Sequence, residues 1–169
     1  FLVLEVTRNA WASSFPKVIF LKGHPKRIDK SFDQDIGVKK EQNSEKLIKF
    51  GDLIQSDTVI LTGPKDEVRL QVGEAKTPTA KYFLQSSSLL QIVNPEKDPI
   101  KRAQVDQVHF DFILGEGKIL ASGFSDIYTL NLVVKEMLPS EVAVEFDAST
   151  AGSRVQVIQG RVEIQGLGQ

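Results

Sequence analysis

Hydrophobic and polar residues alternate along most of this chain, which is the pattern of strands with one buried and one exposed face. The clearest case is Val68, Leu70 and Val72, which are separated by Arg69 and Gln71. A helical period of about 3.6 residues is not sustained over any long window. We therefore predict about ten short strands, with residues 99–107 as the one candidate for a helical turn.

Turn residues separate the predicted strands of the first half. A strand over residues 17–22 ends at the turn cluster Gly23-His24-Pro25. Beyond it, the pattern predicts a long loop or irregular hairpin over residues 26–46, two strands within 47–63, and a strand-forming stretch over 82–93 interrupted by Ser86 to Ser88.

The second half repeats the alternation. A half-buried strand is predicted from the alternating apolar residues Val108, Phe110, Phe112 and Leu114. A hairpin turn is predicted after it, at Gly115-Glu116-Gly117. The remaining predicted strands carry Tyr128, Leu130, Leu132 and Val134, then Val142, Val144 and Phe146, and last Val155 to Ile164 with a bulge or tight turn at Gly160.

Many short strands separated by turns predict an all-β fold. A sandwich or jelly roll is the leading architecture, and a β-solenoid-like stack is the alternative. We predict an N-terminal strand or tether over residues 1–16, in which Trp11 and Phe15 are candidate docking anchors. A single β-rich domain follows over residues 17–169, with an internal boundary near residues 94–100, where Pro95 and Pro99 exclude a central strand.

Composition narrows the functional classes. The chain has 169 residues, 41% of them hydrophobic and 25% charged, with a formal net charge of -1. A nearly balanced charge gives no general attraction to phosphate backbones, so we expect no nucleic-acid partner. The chain has no cysteine, which excludes disulfides and thiolate chemistry and is compatible with export to an oxidising compartment.

The first residues also indicate export. The chain opens with Phe1 rather than Met, and Ala10-Trp11-Ala12 has the small-x-small form of a signal-peptidase site. We expect a removed signal peptide and a periplasmic or cell-surface location. No apolar run reaches the length of about 18 residues that a spanning helix needs, so we predict no transmembrane segment in this chain.

Candidate chemistry is sparse. His109 and Asp111 are two apart on a predicted strand and share a face, but two ligands do not make a metal site, and His24 lies far away in sequence. The G-x-G at residues 115–117 opens no helix, so it is no phosphate loop. We predict no cofactor and no metal.

Candidate catalytic and anion-binding groups are present but scattered or diluted. The carboxylates that could act as acid and base are scattered along the chain, at Asp52, Asp57, Asp106 and Asp111. A serine nucleophile needs a histidine base, and Ser86 to Ser88 have no histidine nearby in sequence. We predict no catalytic residue and no enzyme. The most basic stretch consists of Lys22, His24, Lys26, Arg27 and Lys30, extended by Lys39 and Lys40; acidic residues dilute it, so a solvated loop is favoured over an anion site.

Two segments resemble bacterial FecR-type domains. The first contains VIFLKG, the turns Gly51-Asp52 and Thr62-Gly63, and the alternating strand EVRLQV. The second is the closing VQVIQGRVEI. The chain departs from the family where an Arg-Gly-Thr turn usually precedes the penultimate strand, because it reads Leu138-Pro139-Ser140-Glu141.

The resemblance implies a non-enzymatic, extracytoplasmic bacterial β-domain. We expect a protein-binding or structural module in an envelope, appendage or filament assembly. One alternative is an envelope-signalling domain of the FecR sensor type, although the membrane helix and cytoplasmic segment of that type are not seen in this sequence. The other alternative is a module that binds carbohydrate or peptidoglycan, which would make polysaccharide a further partner.

Overall fold

The computed structural model describes residues 15–32, 41–55, 57–73, 78–93, 110–123, 125–136 and 140–168, and these contain strands and turns but no helix. The all-β prediction is confirmed. The described residues form thirteen strands: β1 (Lys17–Lys22), β2 (Lys26–Phe32), β3 (Glu41–Leu47), β4 (Val59–Leu61), β5 (Glu67–Gly73), β6 (Pro78–Leu84), β7 (Leu89–Val93), β8 (Phe110–Gly123), β9 (Ser125–Tyr128), β10 (Leu132–Glu136), β11 (Ser140–Asp147), β12 (Gly152–Gln159) and β13 (Val162–Gly166).

The strands form two sheets that share β8. Sheet A has the order β1-β5-β6-β8-β11-β12, and sheet B has the order β3-β2-β4-β7-β8-β9-β10-β13. These pairings are antiparallel, except that β8 and β9 run parallel. The result is one curled antiparallel sheet that forms a half-barrel, in agreement with the predicted sandwich-like fold and not with a solenoid-like stack.

The inward side chains of both sheets form a common core. Tyr82 of sheet A packs against Phe112 of sheet B with 4.5 Å between ring centroids, and Phe110 lies 6.4 Å from Phe112. The buried Tyr82 hydroxyl shares a hydrogen bond of 2.7 Å with the Ser125 hydroxyl. Aromatic rings therefore connect the two sheets, and the polar tip of Tyr82 is satisfied where it is buried.

Backbone hydrogen bonds close the half-barrel beside β1. The segment 48–54 crosses from sheet B to this edge of sheet A, where Val18 donates its N–H to the Asp52 carbonyl at 2.9 Å. Gly51 donates its N–H to the Val18 carbonyl at 2.9 Å, and Ile54 donates to the Pro16 carbonyl at 2.8 Å. The outer edge of β1 is therefore partly covered by the chain itself.

At the opposite margin, between β12 and β13, hydrogen bonds of the described residues connect the two sheets at both ends. The Ser140 hydroxyl donates to the Arg161 carbonyl at 2.9 Å and accepts the Arg161 N–H at 3.0 Å. At the other end, the side-chain amide of Asn131 donates to the Ala151 carbonyl at 2.8 Å, and the backbone carbonyl of Asn131 accepts the Leu167 N–H at 2.8 Å.

The hairpin turn predicted at residues 115–117 is wrong. This segment lies in the middle of the 14-residue strand β8, at the point where β8 passes from sheet B to sheet A. Gly117 has a φ of +92°, and a Cβ added there would lie 2.0 Å from the Ser88 Oγ. The two glycines therefore allow the strand to bend and change partners without reversing direction.

Two further predictions need correction. The strand predicted through Tyr128, Leu130, Leu132 and Val134 is instead the hairpin β9–β10, because Thr129 Oγ1 accepts the Leu132 N–H at 3.3 Å in a turn that leaves Leu130 74% exposed. Residues 47–63 contain the single strand β4 and an isolated bridge between Lys17 and Leu53, not two strands.

Other predictions hold in their main features. Residues 26–32 and 41–47 pair as β2 and β3, so the irregular-hairpin alternative is right and the loop alternative is wrong. Gly160 makes a tight turn between β12 and β13, with a φ of +87°. The predicted boundary near residues 94–100, the helical turn over 99–107 and all but Phe15 and Pro16 of the N-terminal tether lie outside the described residues.

Candidate binding surface

The outer surface of sheet A, here called face A, carries a row of aromatic and aliphatic side chains. Residues directly opposite one another on neighbouring strands project from the same face. One such row crosses all six strands of the sheet, and its members in strand order are Phe20, Arg69, Phe83, Leu120, Ala143 and Gln156. A polar outer face is expected for a sheet of this kind, so this row is unusual.

Arg69 lies between two aromatic rings in this row. Its guanidinium carbon is 5.0 Å from the Phe20 ring centroid and 4.7 Å from the Phe83 ring centroid. Both distances lie within the range of cation–π contacts. Phe20 nevertheless remains 39% exposed. The arrangement is a preformed aromatic and cationic platform at the surface.

A shallow groove of about 440 Å³ lies on face A beside this platform. This volume falls within the range of ligand pockets. Its wall includes Lys81, Ser122 and Glu141, which form the neighbouring cross-strand row. The full set of lining residues is Ile19, Arg69, Leu70, Lys81, Tyr82, Phe83, Leu120, Ala121, Ser122 and Glu141.

Face A is basic. The outward positions of its six strands hold six cationic side chains and four acidic ones. The cations are Lys17, Lys22, Arg69, Lys81, Lys118 and Arg154, and the acids are Glu67, Glu141, Glu145 and Asp147. One ion pair, Lys22 with Glu67 at 3.6 Å, lies at the margin of the face.

The outer surface of sheet B, here called face B, is acidic among its described side chains. Its outward positions hold five acidic and two cationic side chains. The acids are Glu45, Asp111, Glu116, Asp126 and Glu163, and the cations are Lys26 and Lys135. Burial raises the pKa of the Tyr128 hydroxyl, and the nearby charges of Asp111 and Asp126 raise it further.

Face B also carries an apolar row. Ile28, Val59, Ile113 and Tyr128 lie opposite one another across its strands, with Gln91 between Val59 and Ile113. Ile113 is 42% exposed.

The margin between β12 and β13 exposes apolar side chains that the registers place on the core side of their sheets. Val157 lies opposite the buried Val142, and Ile164 lies opposite the buried Val134. Yet Val157 is 44% and Ile164 is 50% exposed. An exposed strand edge with apolar neighbours is a feature of surfaces that bind other chains.

The structure does not bring the sequence-derived catalytic candidates together. Asp111 lies on face B beside Asp126, while Asp52 lies in the segment that crosses to β1 and accepts the Lys49 N–H at 2.8 Å. Asp57 lies in the turn before β4. His109 and Asp106 are outside the described residues. The Ser88 hydroxyl accepts the Lys118 N–H at 3.0 Å, a bond that fixes the bend of β8.

The basic stretch is part of β2 and its surroundings, not a loop, and its described cations are paired. Arg27 contacts Asp29 at 3.0 Å and Asp52 at 3.6 Å. Lys26 pairs with Glu45. Lys30, Lys39 and Lys40 have no described side chains. Within the described part, this stretch holds sheet edges together and offers no free anion site.

Sequence reasoning missed face A. The signal that could have found it is the interruption of the alternating pattern by consecutive apolar residues, in Phe20-Leu21 and in Tyr82-Phe83-Leu84. In the first run Leu21 faces the core and Phe20 faces outward, and in the second Phe83 faces outward between two core residues. An outward phenylalanine beside an outward arginine on the next strand is an indication of a binding surface.

The chain matches no family model, and no curated protein or solved structure matches it. The FecR resemblance therefore stays a prediction. Across the described ranges, no helix is long and apolar enough to cross a membrane, and no three His, Asp or Glu side chains are grouped to hold a metal ion. What the fold and surfaces define is an all-β module with two unlike outer faces.

Proposed function

We propose that this chain is a non-catalytic protein-binding or structural module and that face A is the surface with which it binds its partner. The observation that carries the proposal is Arg69 held between Phe20 and Phe83 on the outside of a sheet. Aromatic residues and arginine are the types most enriched at the centres of protein interfaces. Their rotamers are already restricted here, which lowers the entropy cost of binding.

The proposed place of this module is the periplasm or the surface of a bacterial cell, in an envelope or appendage assembly. The absence of cysteine from the chain supports that location, because a free thiol is a liability in an oxidising compartment. The resemblance to FecR-type domains supports it as well.

The test is quantitative co-purification from a mildly solubilised bacterial envelope with charge-reversal variants. The double variant Arg69→Glu/Lys81→Glu changes the centre of face A. The matched control, Lys49→Glu/Lys65→Glu, makes the same change in charge at exposed positions outside that face. Far-UV circular dichroism and thermal melting show that both variants are folded.

We expect the wild type and the control to retain the same stoichiometric partner proteins, and the face A variant to lose them. Identical recovery with all three proteins would overturn the proposal. If the face A variant instead loses binding to purified peptidoglycan, with no protein partner affected, the carbohydrate-binding alternative replaces it.

A further inference from the structure

The two outer faces of this module carry opposite charge. Six cations against four acids make face A basic, and five acids against two cations make the described part of face B acidic. The whole chain has a formal net charge of only -1. The charges are therefore segregated onto the two sides of the sandwich and are not simply an excess of one sign.

Both faces also carry exposed apolar side chains, which would come into contact if the oppositely charged faces met. Phe20 is 39% exposed on face A, and Ile113 is 42% exposed on face B. Leu89, also on face B, is 38% exposed. An apolar centre with a charged border is the usual anatomy of a protein interface.

We propose that the partner of face A is face B of a second copy of this chain. This inference rests on the proposed function of face A as a protein-binding surface. Pairing of two A faces or two B faces would oppose like charges, whereas A against B matches basic with acidic groups. Because both inner faces pack onto one common core, faces A and B point away from each other. Contacts between them are head-to-tail and produce an open row of copies, not a closed pair.

The size of the faces sets the strength of this contact. Six strands about 4.8 Å apart and about six residues long give a face of roughly 24 by 20 Å. Each copy thus buries on the order of 500 Å², or about 1,000 Å² in total, which is at the lower limit for a specific interface. The association is therefore weak, depends on protein concentration and decreases with added salt, since exposed charges are screened.

Sedimentation velocity of the full chain tests this proposal. The weight-average mass is expected to rise above the 18.8 kDa of one copy as concentration increases at low salt. In about 0.5 M NaCl it is expected to fall back, because the Debye length then shortens to a few ångström. Two folded variants break one face each: Arg69→Glu/Lys81→Glu on face A, and Asp126→Lys/Glu163→Lys on face B. Ile113→Arg is a second face B variant, in case the first does not fold.

Mixing the two single-face variants is the decisive measurement. Each alone is expected to remain a single copy, and their mixture is expected to form pairs, because each variant supplies the intact face that the other lacks. The control Lys49→Glu/Lys65→Glu is expected to associate as the wild type does. A wild type that stays a single copy up to about 1 mM at low salt, where even weak contacts would form, overturns self-association, and so does a mixture without pairs.

The two proposals fail separately. If the wild type stays a single copy but the face A variant loses an envelope protein in co-purification, self-association is wrong and the binding function of face A stands. If the face A variant changes neither measurement, both proposals are wrong.

Discussion

Replacing Gly117 by alanine should destabilise this protein far more than a surface glycine substitution normally does. Gly117 lies at the bend of β8 with a φ of +92°, and the added Cβ would meet the Ser88 Oγ at 2.0 Å and the Ser88 Cα at 2.6 Å. The Ser88 backbone has to move because a Cα cannot rotate away. That movement breaks the bonds that Ser88 makes to the Lys118 N–H at 3.0 Å and to the Thr62 hydroxyl at 2.8 Å.

The magnitude follows from these parts. An L-residue in the left-handed region costs about 1–2 kcal/mol, and each lost hydrogen bond costs about 1 kcal/mol. The expected loss in the free energy of unfolding is therefore about 3–4 kcal/mol, a large fraction of the 5–15 kcal/mol that is typical of whole domains. Urea unfolding followed by far-UV circular dichroism measures it, with unchanged m values as the sign that the denatured state is unaffected.

Two other glycines separate the contributions. Gly51 has a φ of +85° and open space around its Cβ position, so Gly51→Ala should cost only the backbone term of about 1 kcal/mol. Gly166 has open space and no positive φ, so Gly166→Ala should change stability by less than about 0.5 kcal/mol. If Gly117→Ala costs no more than Gly51→Ala, the passage of β8 between the sheets is not packed as described.

Three further predictions concern single contacts. Asp66 accepts the His24 N–H at 2.9 Å and the Gly63 N–H at 2.8 Å; these backbone hydrogen bonds, first that of Gly63, hold its pKa below the usual 3.8. The ionised Asp66 carboxylate stabilises the fold above pH 3.8, and this stabilisation is lost as pH falls through the lower folded-state pKa. Urea titrations should therefore show Asp66→Ala less stable than wild type at pH 7, with the difference narrowing below pH 3.8. A difference that stays constant with pH would contradict the assignment. Tyr82→Phe should cost about 1–2 kcal/mol by removing the buried bond to Ser125, and a double-mutant cycle with Ser125→Ala should show strong coupling; additive effects would argue against that bond. Arg69→Ala should change the melting temperature little, since Arg69 is exposed, and a large drop would mark it as structural.

The fold class could be read from the sequence because alternation depends only on which face of each strand is buried. Strand β5 illustrates this, since its alternating residues Val68, Leu70 and Val72 are all buried. The tight turn at Gly160 was also visible, because the inward parity of apolar residues changes there. Local pattern was sufficient wherever a strand has one face in the core.

The architecture could not be read in the same way. Glycines at 115 and 117 look like a turn in any local window, and only the pairing of β8 with both sheets shows that the strand continues. Likewise, residues 48–54 look like a strand but make their hydrogen bonds to Pro16 and Val18, far away in sequence. For face A, the consecutive apolar residues indicate only single outward side chains, because Phe20, Arg69 and Phe83 become neighbours only through strand order.

The position of β8 in the chain has a consequence for folding during synthesis. Strands β6 and β7 each pair with β8 on one side, so a nascent chain that ends before residue 110 leaves one edge of each sheet unpaired and lacks the strand that the two sheets share. Such edges are prone to aggregation while they wait for their partner. Most of the chain, up to residue 123, must therefore be synthesised before β6 and β7 can pair with the strand that they share.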